Sequence, residues 1–276
     1  MTFPDSRIAV LQMASGPKVD ANLLECERLV AEAAVAGAGL VVLPENFAFM
    51  GKAQGDQLRL READGEGPLQ AFLQRLARDH GVWLVGGTLP LAAEAPDRVR
   101  AACLVFDHRG RRVARYDKIH LFDVDLPEGE ERYTESAVIE PGDEVVVVES
   151  PFGRLGLAVC YDLRFPELFR AMLDRGVDLV ALPAAFTAVT GKAHWEVLVR
   201  ARAIENLVCV AAAAQGGYHI NGRETHGQSM IVDPWGRVLA GVARGNGTAT
   251  AVLDRAYQAA VRRSFPALEH RRLRCR

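Results

Sequence analysis

The chain has 276 residues, of which 49% are hydrophobic and 25% are charged, and its formal net charge is −2. This composition is typical of a globular protein in water, and the near-neutral charge gives no reason to expect a nucleic-acid or anionic-membrane partner. No apolar run approaches the roughly 18 residues needed to span a bilayer, and the N-terminal stretch lacks the basic and apolar regions of a signal peptide.

Short runs of apolar and β-branched residues predict buried strands over residues 7–13, 39–47, 82–89, 101–107, 153–162, 177–186, 206–215, 227–233 and 248–254. Between them, amphipathic patterns predict helices over 20–36, 68–79, 165–175 and 193–205. Asp20 is the predicted N-cap of the first helix and Gly37 its closing residue. Strands that alternate with helices indicate an α/β fold. No linker-like stretch divides the chain, so we predict a single domain over residues 1–276.

The two halves of the chain resemble each other. "LVVLPENF" (40–47) resembles "LVALPAAF" (179–186), and "VFDHRGRRVA" (105–114) resembles "IVDPWGRVLA" (231–240) at an offset of 126 residues. The same offset aligns the helix over 68–79 with residues 194–205. We therefore predict two similar α/β layers related by a pseudo-twofold axis, with two sheets face to face and helices outside.

The cysteines are odd in number and contain no CxxC pair, at positions Cys26, Cys103, Cys160, Cys209 and Cys275. Such spacing argues against a disulfide framework and favours a reducing, cytoplasmic location. The seven histidines have no HxxxH or HExxH spacing, so we expect no metal site.

Cys160 lies where a predicted strand gives way to a predicted helix, in "GRLGLAVCYDLRFPELFR" (153–170). A lone cysteine is more often a small buried residue than a nucleophile. Loops at the carboxyl ends of strands, however, are where α/β folds place their sites, and a helix N-terminus favours a thiolate with an oxyanion beside it. The other four cysteines lack this setting, because they fall in helix or strand patterns or in the C-terminal tail.

A cysteine nucleophile needs a base, and the sequence provides a carboxylate besides the histidines His120 and His194. Glu45 follows the strand pattern in "VVLPENF", where the second half of the chain has Ala184. A glutamate there can also be an ordinary exposed loop residue. Lys118 follows the strand pattern "RRVARYD". It is either a surface ammonium or a cation that lowers the thiol pKa and stabilises an oxyanion.

Three blocks, "LPENF", "YDKIHLFD" and "GLAVCYDLRFPEL", occur in this order and resemble the signature blocks of the nitrilase (carbon–nitrogen hydrolase) superfamily. The resemblance spans nearly the whole chain and implies the family's four-layer αββα sandwich. It also implies that Glu45, Lys118 and Cys160 form a catalytic Glu-Lys-Cys triad. Glu135, in "RYTES", is then the family's second glutamate, which supports the lysine and positions the substrate amide. This chemistry needs neither a metal nor an organic cofactor.

The resemblance implies a mechanism in which Glu45 accepts the Cys160 proton and the thiolate attacks a primary amide. Lys118 and the Tyr161 backbone N–H hold the oxyanion, ammonia leaves, and water activated by Glu45 hydrolyses the acyl thioester. No nucleic acid or membrane takes part; the expected partners are a small-molecule amide and water.

Further residues are candidates for substrate binding. Arg164 is either part of a fold-supporting ion pair or a fork that holds a substrate carboxylate. Phe186, Thr187 and Thr190 follow the strand that matches "LPENF", so we expect them to line the same cleft, although Phe186 can also be a core residue.

Stretches of the second half, such as "TGKAHWEVLVRARAIEN" (190–206) and "HGQSMIVDPWG" (226–236), look similar to the superfamily branch that acts on deaminated glutathione. We therefore expect an amidase that converts this small acidic substrate to 2-oxoglutarate and cysteinylglycine. Alternatives are an ω-amidase acting on α-ketoglutaramate or α-ketosuccinamate, another small aliphatic amidase, a Cys–His hydrolase, and a catalytically silent scaffold. The resemblance further implies a homodimer or larger homo-oligomer, with the basic C-terminal tail, about 262–276, at a subunit interface.

Overall fold

The computed structural model describes residues 6–125, 132–220 and 222–273. Helices in these residues are α1 (Val19–Val35), α2 (Pro68–His80), α3 (Pro166–Asp174), α4 (Ala188–Asn206) and α5 (Arg255–Ser264). Strands of the first half are β1 (Arg7–Gln12), β2 (Leu40–Val42), β3 (Trp83–Val85), β4 (Leu89–Ala92), β5 (Val99–Phe106), β6 (Arg112–Asp117), β7 (Asp123–Asp125) and β8 (Arg132–Thr134). Strands of the second half are β9 (Val147–Ser150), β10 (Gly153–Leu157), β11 (Leu179–Ala184), β12 (Cys209–Ala214), β13 (Gly216–Tyr218), β14 (Glu224–His226), β15 (Ser229–Val232), β16 (Val238–Val242) and β17 (Gly247–Val252).

The two large sheets share the same central strand arrangement. The first has the order β17-β1-β2-β3-β5-β4, with β6 paired to β5, and the second has the order β16-β15-β12-β11-β10-β9. In each sheet three strands are parallel, β1 to β3 in one and β10 to β12 in the other. An antiparallel hairpin follows in both sheets, β5–β6 and β15–β16. The internal repeat in the sequence therefore corresponds to a repeated sheet.

The two hairpin turns also match in detail. Asp107 and Asp233 each accept backbone N–H bonds from the residues two and four positions later, at 2.8–2.9 Å. Gly110 and Gly236 adopt φ of 76° and 82°, the left-handed region that glycine enters without a steric penalty. The similarity between residues 105–114 and 231–240 is thus a similarity of turn structure.

Alternate residues of β1 show how the layers are stacked. Ile8 and Val10 pack in a core shared with the second sheet, whereas Ala9 and Leu11 pack in a separate core with α1 and α2. Successive side chains of a strand point to opposite faces, so this division places the second sheet on one face and helices on the other. The order helix, sheet, sheet, helix confirms the predicted αββα sandwich.

Several predicted boundaries differ from the structure. Helix α1 begins at Val19 with Lys18 at its N-cap, so Asp20 lies in the first turn and is not the cap; Gly37 does follow the helix end, with φ of 84°. Helix α4 begins at Ala188 instead of residue 193, because the Thr187 side chain caps its first turn. No helix in the described part of the chain is long and apolar enough to cross a membrane.

Candidate active site

Four chain segments bring the predicted catalytic residues together. Glu45, Lys118 and Cys160 follow the carboxyl ends of β2, β6 and β10. Their exposed fractions are only 4%, 1% and 8%. Glu135 begins a short 3-10 helix, Glu135–Ala137, that follows β8. Functional groups are thus placed at strand ends, where α/β folds commonly build their sites.

Lys118 is the centre of the charged group. Its Nζ donates hydrogen bonds to Glu45 Oε1 at 2.9 Å and to Glu135 Oε1 and Oε2 at 2.8 and 2.9 Å. Glu135 Oε2 also accepts the Phe122 backbone N–H at 2.6 Å. A buried ammonium needs such partners, because an isolated charge is strongly disfavoured away from water.

The pKa shifts of this group follow from its burial. Burial alone would lower the pKa of Lys118, but the charges of Glu135 and Glu45 raise that pKa well above its usual value. Burial raises the pKa of Glu135, and the nearby Lys118 opposes the rise without cancelling it. Lys118 is therefore a cation throughout the neutral pH range.

Cys160 starts a short 3-10 helix, Cys160–Arg164, with an unusual φ of 49°. Its Sγ accepts the Ala185 backbone N–H at 3.4 Å. Burial and the charge of Glu45 raise the pKa of the thiol well above its usual value, although Lys118 acts in the opposite direction. The sequence-based expectation of a lowered thiol pKa is therefore wrong in its net direction, and the resting group is a neutral thiol.

The remaining cysteines do not share this position. Cys26 lies in α1, Cys103 in β5 and Cys209 in β12, and all three are buried, as the sequence patterns predicted. Cys275 lies outside the described residues.

A cavity of about 140 Å³ opens onto the thiol. Glu45, Lys118, Glu135 and Cys160 line it, together with all the predicted substrate-binding residues: Tyr161, Arg164, Phe186, Thr187 and Thr190. Thr187 and Thr190 also have a structural role, since the Thr187 Oγ1 accepts the Thr190 N–H at 3.2 Å and caps α4.

Arg164 is held by aromatic rings at the cavity wall. Its guanidinium carbon lies 5.1 Å from the centre of the Phe186 ring and 5.8 Å from that of Tyr161, and Nη1 lies 3.3 Å from His194 Nδ1. Among the described residues, no carboxylate lies within 4.0 Å of this guanidinium. The arrangement does not support a fold-supporting ion pair and leaves a positive charge facing the cavity.

His120 and His194, the two histidines considered as bases, are not among the described residues that line the cavity. His120 Nδ1 lies 2.7 Å from Asp162 Oδ1, and its ring stacks on Phe165 with 3.7 Å between ring centres. His194 Nδ1 lies 3.3 Å from Nη1 of Arg164. This geometry gives the Cys–His alternative no support.

Sequence reasoning missed several cavity residues. Arg223 precedes β14 and Tyr133 lies in β8, and the guanidinium carbon of Arg223 is 5.2 Å from the centre of the Tyr133 ring. Arg223 also donates a hydrogen bond to the Ala185 carbonyl. Other missed lining residues include Asn46, Met50, Gln57 and Phe122. Tyr133 and Arg223 belong to two small antiparallel strand pairs, β7–β8 and β13–β14, or lie next to them. Each of these strands has only three residues and no run of buried residues, so the sequence contained no pattern that predicts a strand there.

No group of three or more His, Cys, Asp or Glu side chains in residues 6–125, 132–220 and 222–273 is arranged to hold a metal ion. Glu45 and Glu135 instead bind the ammonium of Lys118.

Residues 7–263 match the carbon–nitrogen hydrolase family, and the chain belongs to this family. The predicted superfamily and the predicted enzyme class, a hydrolase of carbon–nitrogen bonds other than peptide bonds, are thereby confirmed.

The relatives and related structures cover almost the whole chain. It is 44% identical over 267 residues to the deaminated glutathione amidase of Synechocystis sp., covering 95% of this chain and 97% of the relative. The crystal structure of the C. elegans NitFhit protein matches with a TM-score of 0.87 and 38% identity, covering 99% of this chain and 66% of that one. A variant of the amidase from Nesterenkonia sp. AN1 matches with a TM-score of 0.77 and 29% identity, covering 98% and 97%. That structure shows covalent addition of the acetamide moiety of fluoroacetamide at the active-site cysteine.

Proposed function

We propose that the chain is an amidase in which Cys160 is the nucleophile, Glu45 transfers protons and Lys118 stabilises negative charge on the substrate oxygen. The observation that carries this proposal is the buried ammonium of Lys118, 2.8–2.9 Å from two carboxylates beside a buried thiol in one cavity. A covalent adduct on the active-site cysteine of the related Nesterenkonia amidase supports the role of Cys160.

Acylation begins from the neutral thiol, because burial and Glu45 raise its pKa. The Cys160 proton passes to Glu45 while Sγ forms a bond to the amide carbon, and the carbonyl electron pair moves onto oxygen. Lys118 and the backbone N–H of Tyr161, which lies in the first turn of its short helix, are the donors that we propose for this oxyanion. Such donors act most strongly in a site shielded from water.

The tetrahedral intermediate then breaks down. Glu45 gives its proton to the substrate nitrogen, the C–N bond breaks, and the amine leaves behind an acyl thioester on Cys160. Glu45 next takes a proton from a water molecule that attacks the thioester. The C–S bond then breaks to release the acid, and Glu45 returns the proton to Sγ, which regenerates the thiol. Glu135, bonded to Lys118 through both oxygens, holds the ammonium in place and orients the amide.

We propose deaminated glutathione as the substrate. The Synechocystis relative bears that name at 44% identity, and the arginines Arg164 and Arg223 at the cavity suit an acidic substrate. Cleavage to 2-oxoglutarate and cysteinylglycine breaks an amide whose nitrogen carries the dipeptide. The leaving group is then a dipeptide amine, which corrects the primary amide and ammonia expected from the sequence.

A substrate panel tests this assignment. Release of cysteinylglycine from deaminated glutathione and of ammonia from α-ketoglutaramate would be measured by mass spectrometry and compared as kcat/KM. We expect deaminated glutathione to have the higher value, and Cys160→Ala to be inactive on every amide. A higher kcat/KM for α-ketoglutaramate would assign the enzyme to the ω-amidases instead, and full activity of Cys160→Ala would contradict the nucleophile assignment.

We further propose that the enzyme is cytoplasmic. We also propose that it is a single domain, since β17 returns from the C-terminal end to pair with β1. We propose that it forms a homodimer or larger homo-oligomer with the C-terminal segment at the interface. In support, Ile204, Trp235 and Phe265 are 46%, 48% and 49% exposed, and Trp235 and Phe265 form an edge contact with 5.6 Å between ring centres. A monomer in light scattering at micromolar concentration would contradict this assembly.

A further inference from the structure

We propose that Asp162 is a positioning residue that fixes the distance between the Cys160 thiol and the Lys118 ammonium. This inference rests on the catalytic roles proposed above. Asp162 is fully buried, and the described residues that line the cavity do not include it. It therefore acts on the reaction only through the residues it holds.

One set of contacts fixes the nucleophile. Asp162 Oδ2 accepts the Val159 backbone N–H at 2.8 Å, and the Asp162 N–H donates to the Val159 carbonyl at 3.0 Å. Cys160 lies between these two residues with its φ of 49°. A non-glycine residue in this left-handed region costs of order 1–3 kcal/mol and persists only where its surroundings impose it. The paired bonds to Asp162 supply that constraint.

A second set of contacts fixes the lysine. Asp162 Oδ2 accepts the Tyr116 hydroxyl at 2.6 Å, and Oδ1 accepts the His120 backbone N–H at 3.0 Å and lies 2.7 Å from His120 Nδ1. The Ile119 N–H in turn donates to the Tyr116 hydroxyl at 3.4 Å. Lys118 lies inside this turn, so residues on both sides of it are bonded to one carboxylate.

The chemistry of the contacts requires a carboxylate. Each oxygen of Asp162 receives two donors, and a carboxylate can accept at both oxygens whereas an amide accepts at only one. In Asp162→Asn the NH2 group faces either Val159 or His120. In either orientation one backbone N–H loses its acceptor, the buried one of Val159 or the partly buried one of His120, which is costly away from water.

The link matters because one carbonyl group must meet both side chains. Sγ bonds to the carbonyl carbon while Nζ approaches the carbonyl oxygen, so their separation is set by the substrate. A displacement of about 1 Å at such a site can cost about 100-fold in rate. Loosening the turn at Lys118 relative to the turn at Cys160 therefore lowers kcat more than substrate affinity.

The test compares Asp162→Asn with Asp107→Asn, on the amide preferred by the wild-type enzyme. Asp107 is also a buried carboxylate bonded to backbone N–H groups, but it lies in the β5–β6 turn and not at the cavity. Active sites are counted by mass spectrometry of Cys160 alkylated with iodoacetamide, and kcat is expressed per alkylated site. Tyr116→Phe, which removes a single donor, is measured in the same way, as is His120→Asn.

We expect kcat per site to fall about 100-fold in Asp162→Asn with KM changed by less than about threefold, and kcat per site to be unchanged in Asp107→Asn. Tyr116→Phe and His120→Asn lower kcat per site by smaller factors, and they carry the test if Asp162→Asn does not fold. Wild-type kcat per site in Asp162→Asn, or in both Tyr116→Phe and His120→Asn, would overturn the inference. Full activity of Cys160→Ala would instead overturn the proposed function itself.

Discussion

Replacing Lys118 by methionine removes a buried cation that is bonded to two carboxylates, the buried Glu45 and the partly buried Glu135. Its Nζ lies 2.9 Å from Glu45 and 2.8 Å from Glu135, and the side chain is 2% exposed. Breaking a buried ion pair by removing one partner costs about 3–5 kcal/mol, because the remaining charge is left uncompensated. We expect Lys118→Met to lower the free energy of unfolding by about that much at neutral pH. Because the variant also lacks an oxyanion donor, we expect kcat to fall about 100- to 1,000-fold.

The stability loss depends on pH in a direction that the structure defines. In the wild type, the raised pKa of Lys118 means that its stabilisation is complete below pH 10 and constant between pH 5 and 9. In the wild type the pKa of Glu135 is already raised, and Lys118 opposes that rise. In the variant this opposition is lost and Glu45 still repels Glu135, so the folded-state pKa of this carboxyl rises further above its unfolded value of about 4.3. A carboxyl with a raised folded-state pKa stabilises the fold only at low pH, and this contribution is lost as pH rises towards the folded-state pKa. The difference between wild type and variant therefore widens from pH 5 to pH 8.

Urea unfolding at pH 5, 6.5 and 8 measures this difference, and amide hydrolysis at the same pH values measures kcat. Lys192→Met is the matched control, because Lys192 is an exposed lysine of α4 and its loss should change unfolding by less than about 0.5 kcal/mol. A stability loss in Lys118→Met that is equal at the three pH values, or smaller than that of Lys192→Met, would refute the charge argument.

Other substitutions test the remaining groups. Glu45→Gln removes the charge that raises the thiol pKa. The pH profile of Cys160 alkylation by iodoacetamide should therefore shift to lower pH, even though the rate of amide hydrolysis falls by about 10²–10⁴-fold. A shift of the alkylation profile to higher pH would contradict this. Arg164→Met should lower kcat/KM for deaminated glutathione by about 10–100-fold and leave that for propionamide unchanged, whereas equal losses would argue against carboxylate binding. Gln215 Nε2 donates to Ser15 Oγ and to the Glu45 carbonyl at 2.8 and 3.0 Å. Gln215→Leu should therefore lower the free energy of unfolding by about 1–3 kcal/mol for each buried group left unpaired. A free energy from urea unfolding within about 0.5 kcal/mol of the wild-type value would exclude that cost.

The sequence predicted Glu45 and Cys160 from the apolar strand patterns around β2 and β10, and Lys118 from the mixed polar and apolar strand β6. Glu45, Lys118 and Cys160 each follow a run of residues whose pattern marks a strand, and carboxyl ends of strands meet at a sheet edge. The repeat at an offset of 126 residues predicted the second sheet, because equivalent turn residues, Asp107 and Asp233, make the same bonds.

Other features could not be predicted, for identifiable physical reasons. Helix α5 buries only Gln258 and Val261, so it has no apolar stripe to mark it. Tyr133 and Arg223 come from short hairpins whose position depends on tertiary contacts. The net pKa shift of Cys160 reflects competition between burial, Glu45 and Lys118, and residue order alone does not determine which of these effects dominates.

The covalent intermediate is the central claim, and its direct measurement is mass spectrometry of enzyme quenched in acid during a single turnover. With enzyme in excess over deaminated glutathione, the peptide that contains Cys160 should transiently gain the mass of a 2-oxoglutaryl group, and Cys160→Ala should gain none. Complete turnover without an adduct, or an acyl group on any residue other than Cys160, would contradict the account.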